Sequence, residues 1–193
     1  MARQLKLKLP RRGGKRKGAG RPRTRPHPGL NGPGVPHLRR AELKRRHPVH
    51  VTLRLRPGIA YLRAQSVARM LVDAFREANQ RFGLRIVHYS IQGNHLHLIV
   101  EAESAESLSR GIQGLAIRIA RRLNARQRRH GAVFADRYHA HILATRREVA
   151  HAVSYLRNNY RRHTLEYVPP HWHDPLSGAI SAPRTWLLKT APP

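Results

Sequence analysis

The chain contains no cysteine. That absence excludes disulfides, thiolate zinc sites and a cysteine nucleophile, so any metal must be held by histidine, carboxylate, amide or water ligands. Acidic residues are also scarce: 10 Asp and Glu stand against 38 Lys and Arg, a formal charge of +28. An unneutralised excess of that size strains a compact fold by self-repulsion and implies a polyanionic partner. Nucleic acid is the first candidate and an anionic membrane the second. The membrane is disfavoured by a further absence, since the longest aliphatic stretches are only strand-sized. The N-terminus is basic but lacks the apolar core of a secretory signal. The expected location is therefore cytoplasmic, at the nucleoid. A length of 193 residues allows one compact domain plus tails.

The charge is uneven. Residues 1–47 carry 16 of the Lys and Arg and one acid, Glu42, for a net +15. They are rich in Gly and Pro without apolar periodicity, which reads as a disordered basic arm that binds DNA. Its Gly20-Arg21-Pro22-Arg23 core could lie in a narrow A·T minor groove, or simply hold phosphates. Residues 48–164 read as the folded, catalytic domain and 165–193 as a C-terminal extension, Pro-rich with Trp172 and Trp186, to which no function is assigned.

Within the domain, alternation at Val49, Val51, Leu53 and Leu55 predicts a strand closed by Pro57-Gly58. Tyr61 to Phe82 has helical periodicity and ends at Gly83. Leu84 to Ile91 and Leu96 to Val100 form a hairpin about Gln92-Gly93-Asn94. Ser104 opens a long helix through Arg129, Tyr138 to Leu143 is a fourth strand, and Thr145 with Glu148 is a capping-box start to a helix ending near His163. The order strand-helix-strand-strand-helix-strand, then a helix, predicts an α+β, ferredoxin-like fold: an antiparallel four-stranded sheet with helices on one face.

The chemistry concentrates in Asn94-His95-Leu96-His97. Strand alternation points His95 and His97 to one face about 7 Å apart, which suits two neutral imidazoles on one divalent cation. Alone, such a pair could equally face solvent, because the chain has 14 histidines. Downstream, Tyr155 and Asn159 are four apart on a helical segment and share a face. Their stripe runs opposite Val149, Val153 and Leu156. Tyr155 is either a rim residue with its hydroxyl in water or a nucleophile whose phenolate needs a nearby cation. Asn159 could supply oxygen to a hard metal such as Mg²⁺ or Mn²⁺. Tyr160 faces away and ranks second. A second pair, His139-Ala140-His141 after Arg137-Tyr138, is a rival metal site or a set of substrate contacts. Arg118 and Arg122 on the long helix read as a phosphate-binding face.

Taken together, these motifs resemble the HUH single-tyrosine, IS200-like transposases, and specifically the REP-associated branch. The matching elements are Asn94-His95-Leu96-His97 on a strand, Arg137-Tyr138-His139-Ala140-His141, and Tyr155-Leu156-Arg157-Asn158-Asn159 on the last helix. The likeness covers roughly residues 48–163. One departure is Tyr160, where the family commonly has proline. The resemblance implies a metal-dependent endonuclease acting on single-stranded or hairpin DNA. His95, His97 and Asn159 would hold the metal and Tyr155 would form a 5′-phosphotyrosine link. Relatives place the tyrosine helix in cis or exchange it between protomers, which leaves a homodimer open. The alternative reading is a noncatalytic or domesticated nucleic-acid-binding protein on the same scaffold. An RNA-binding sheet ranks lower, since the third strand offers histidines and aliphatics where exposed aromatics would be needed.

Overall fold

The computed structural model describes residues 42–163, 169 and 172–190. Arg21, Arg23 and most of the basic arm lie outside the described residues. The arm's last residues are inside them, and Leu43 is buried in the core.

Strand β1 (Val49–Arg54) is followed by helix α1 (Gln65–Ala78), shorter at both ends than the periodicity predicts. Tertiary hydrogen bonds set both limits. The Leu62 N–H donates to the Gly93 carbonyl at 2.8 Å, docking residues 61–63 onto the hairpin turn instead of the helix. At the other end Asn79 leaves helical geometry and its side-chain oxygen accepts from the Ile86 N–H at 2.9 Å. Gln80, Phe82 and Gly83 then take positive φ in a tight turn.

Strands β2 (Leu84–Ile91) and β3 (His95–Ala102) form the expected hairpin. Helix α2 (Ala105–Arg126) is N-capped by Ser104, whose hydroxyl accepts from the Ser107 N–H. At Gly111 an added Cβ would meet the Leu84 Cβ at 2.5 Å, so the missing side chain is what lets α2 lie this close to β2. Strand β4 (His139–Ile142) leads into helix α3 (Arg146–His163). The capping box at the start of α3 is reciprocal, with the Glu148 N–H donating to Thr145 Oγ1 and the Thr145 N–H to Glu148 Oε2.

The antiparallel order is β4-β1-β3-β2, extended by β5 (Ser177–Ala179) against β2. The ferredoxin-like core is therefore present, in a five-stranded sheet rather than the expected four. Helices α1 and α2 cover one face, on a core that includes Val51, Leu53, Leu96, Leu98, Phe75, Ile112 and Leu115. Helix α3 departs from the one-face expectation. It crosses the other face, packing Val149, Val153 and Leu156 on Val87, Ile99 and Leu143. Full burial of each such side chain stabilises by about 1.5–3 kcal/mol. The short helix α4 (Trp186–Lys189) adds Leu188 to this second core. Among the described residues no helix is long and apolar enough to cross a membrane.

The segment 172–180 is tied down by an ion pair. Arg63 and the fully buried Asp174 make two parallel hydrogen bonds of 2.9 Å. The same guanidinium donates to the Ile91 carbonyl and stacks 3.9 Å from the centre of the Tyr160 ring. Trp172 packs on the other residues of this cluster through Tyr160, and the Ser177 hydroxyl lies 2.7 Å from that of Ser90. Removing one member of a buried pair strands the other charge. Asp174→Ala is therefore expected to destabilise the chain by about 3–5 kcal/mol, read as a lower urea midpoint at unchanged slope. A shift within error of zero would show that Arg63 finds another partner.

Candidate active site

Cross-strand register decides which side chains meet. In the β1–β3 pair Thr52 faces His97, Arg54 faces His95 and His50 faces Ile99. On the other side of β1, His50 faces His141 and Thr52 faces His139. Paired residues of an antiparallel ladder project to the same side. The face under α3 therefore carries His50, Thr52 and Arg54 from β1, His95 and His97 from β3, and His139 and His141 from the edge strand. The even-numbered Leu96, Leu98 and Val100 point into the opposite core.

The two central imidazoles are held by neighbours at Nδ1. His95 Nδ1 lies 2.8 Å from Asn94 Oδ1, an acceptor, which assigns its proton there and its lone pair to Nε2. His97 Nδ1 lies 3.1 Å from His50 Nε2 and 3.2 Å from Thr52 Oγ1. Assigning the His97 proton to Nδ1 gives both neighbours an acceptor role and again places the lone pair on Nε2. The rings are 4.8 Å apart and nearly perpendicular. Burial pushes the His50 imidazole down to about 4, with the nearby His139 and His141 acting in the same direction, so it is neutral at pH 7.

Tyr155 completes the cluster from above. Its ring sits edge-on to His97 at 5.2 Å between centroids, and 6.0 Å from His50. This corrects the expectation that the Tyr155–Asn159 stripe lies opposite the buried one. Both residues face the sheet, because the histidine face beneath them is itself polar. Asn159 is fully buried, and neither its Oδ1 nor its Nδ2 has a hydrogen-bond partner among the described residues. An unsatisfied buried amide costs about 1–3 kcal/mol, so this carboxamide calls for a ligand. Among the described residues no three His, Asp or Glu side chains form a metal cluster. Two imidazole nitrogens and one amide oxygen are instead a neutral donor set, one that suits a divalent cation whose counter-charge comes from a substrate phosphate.

The other expected contacts divide. His139 and His141 are brought to the same face, exposed on its edge, with His141 Nε2 3.7 Å from Glu148 Oε1. Arg137 lies two residues before β4, at the His95 end of the sheet. Arg118 and Arg122 are not brought to the site. They lie on α2, across the sheet, and pair with Glu77 of α1 at 3.1 and 2.7 Å. Tyr160 points to the Arg63 cluster instead of the histidines. Sequence reasoning missed His50, Thr52 and Arg54. They occupy the polar phase of the β1 alternation, a signal that becomes specific only once β1 is known to flank β3.

The family described as "Transposase IS200 like" matches residues 44–159, a span that contains the histidine pair and ends at Asn159. The chain belongs to the IS200-like transposase family. Among solved structures it is similar to a REP-associated tyrosine transposase bound to a REP hairpin, with a TM-score of 0.57 at 16% identity over 68% of this chain and 76% of that one. A structure from Deinococcus radiodurans R1, described as a candidate transposase, is similar at 15% identity over 67% of this chain and 95% of that one, with a TM-score of 0.43. No curated protein matches the chain. The first of these likenesses establishes a shared fold, and the family match establishes a transposase of the HUH type.

The neutral His50 links pH to the stability of this transposase. A group whose folded pKa lies below its unfolded value binds more protons when unfolded, so stability falls as pH falls. His88, depressed mainly by burial, acts in the same direction. For the metal-free chain the denaturation midpoint is expected to drop between pH 6.5 and about 4, and His50→Gln to flatten that drop. An unchanged or rising midpoint over this window would contradict the assignment.

Proposed function

We propose that this transposase cleaves and rejoins single-stranded or hairpin DNA, with Tyr155 as the nucleophile. His95, His97 and Asn159 are the residues that would hold a divalent cation, Mg²⁺ or Mn²⁺. The observation that carries this reading is the meeting of Tyr155 with His97 at 5.2 Å, one helical turn from the buried Asn159 carboxamide, which has no hydrogen-bond partner among the described residues. The REP hairpin bound by the structural relative points to folded single-stranded DNA as the substrate class.

A cation at this site would supply Lewis-acid polarisation of the scissile phosphate. The rest is done by the chain itself. The phenolic oxygen of Tyr155 forms a bond to phosphorus as the bond to the 3′ oxygen breaks. The products are a 5′-phosphotyrosine and a 3′ hydroxyl, which takes up the proton that the phenol loses. Rejoining reverses these bonds, so no nucleotide triphosphate is consumed. His50 and Thr52 fix the His97 ring, and Asn94 fixes that of His95, which limits reorganisation during reaction. Arg54 and Arg137, with the edge histidines His139 and His141, line the strand's approach. The basic arm, with Arg21 and Arg23, adds salt-sensitive affinity that would keep the protein on the nucleoid.

Labelled hairpin DNA incubated with the purified protein tests this reading. With Mn²⁺ a denaturation-resistant adduct is expected, absent with EDTA and lost in Tyr155→Phe. Tight binding without an adduct, across a panel of hairpins, would favour the noncatalytic DNA-binding protein. An adduct that survives in Tyr155→Phe would move the nucleophile elsewhere.

A further inference from the structure

A cavity of about 470 Å³ lies at the end of the sheet remote from His95, between the β2–β3 edge and the 184–185 loop. Four arginines line it, Arg45, Arg46, Arg85 and Arg184. Two carboxylates border it, and neither neutralises it. Glu101 is buried and consumed by the loop: it accepts from the Arg184 N–H at 2.9 Å, from the Thr185 N–H at 2.7 Å and from the Thr185 hydroxyl at 2.8 Å. Glu103 reaches Arg45 only at 4.0 Å with both side chains exposed, a contact of little strength. Arg85 donates to the Ala182 carbonyl, while its Nε is buried with no hydrogen-bond partner among the described residues. A concave set of guanidiniums in excess over available carboxylates is a site for anions.

An exposed aromatic follows the loop that walls it. Trp186 directly follows the Glu101-anchored loop and leaves 62% of its surface exposed, with the Arg146 guanidinium 4.7 Å from the ring centre. Exposed aromatics beside arginines are how proteins hold single strands without sequence preference. Position fits the same strand. Glu101 is four residues beyond His97 on β3 and on the same face. At about 3.3 Å per residue that is about 13 Å, with Ile99 between them covered by α3, so a strand reaching both passes round that helix.

We propose that the arginine pocket and Trp186 form a second contact for single-stranded DNA. Arg45, Arg85 and Arg184 hold backbone phosphates there and Trp186 stacks a base of the strand whose cleaved phosphate lies at Tyr155. This rests on the DNA-cleaving reading of the first site and gives the C-terminal segment a role in substrate grip.

The test uses the full chain and two labelled hairpins, one with a single-stranded extension too short to reach the pocket and one well beyond it. Affinity is read by fluorescence anisotropy over a range of salt. Arg184→Ala/Trp186→Ala is expected to weaken binding of the long substrate on the order of tenfold, with the salt slope smaller by about 0.7 for each phosphate that the variant no longer holds. The short substrate should be unaffected. In Trp172→Phe protein, Trp186 is the sole tryptophan, and the long substrate alone should quench its emission. Equal weakening on both substrates would identify a general basic surface and overturn the proposal, as would unchanged binding of the long one. Adduct formation by the unaltered chain is scored in parallel. Because binding is read separately from cleavage, failure of the first reading and failure of this one are distinguished.

Discussion

The site depends on one packing contact, the apolar stripe of α3 on the second face of the sheet. Val149, Val153 and Leu156 meet Ile99, Val87 and Leu143 there. Ile99 is two residues from His97 on β3, so the apolar patch and the histidine pair share one strand and one face. Once Val153 and Leu156 are seated, helical geometry sends Tyr155 and Asn159 onto the polar part of that face. Burial energy of a few side chains, about 1.5–3 kcal/mol each, thus aims a phenol at an imidazole. The polar contacts follow from where the apolar ones sit.

The same logic explains the C-terminal segment. Strand β5 is only three residues long, and its pairing with β2 would be marginal alone. The Arg63–Asp174 pair and Tyr160 stacking on that guanidinium join this segment to the end of α3, one residue beyond Asn159. The Glu101 bonds to Arg184 and Thr185 join its later part to β3. The segment braces the far end of the tyrosine helix and carries an exposed tryptophan and an arginine pocket beside it. In both places a buried carboxylate is satisfied by charge or by backbone N–H groups, as burial of such groups requires.

Local signals are legible where local physics decides. The hairpin at Gln92-Gly93-Asn94, the Thr145–Glu148 capping box and the alternation through His95 and His97 all read directly from the sequence. What the sequence hides depends on partners distant in the chain. The ends of α1 are set by Gly93 and Ile86. His50 and Thr52 occupy plainly alternating polar positions, yet nothing local says that β1 lies against β3 in the register that seats them at His97. Glu77, which pairs with Arg118 and Arg122, lies 41 and 45 residues away, a partner that no local pattern on α2 announces. Helical periodicity alone puts Tyr155 on the solvent side because it assumes an apolar sheet beneath, and this sheet face is histidine-lined.

In the reading proposed for this site, the α3 contact brings His95, His97 and Asn159 together around one cation beside Tyr155. Anomalous diffraction from crystals of the full chain grown with Mn²⁺ tests it most directly. A single manganese peak within coordination distance of His95 Nε2, His97 Nε2 and the Asn159 side-chain oxygen is the predicted result. A peak at His139 and His141 instead, or none near Asn159 at saturating Mn²⁺, would contradict it.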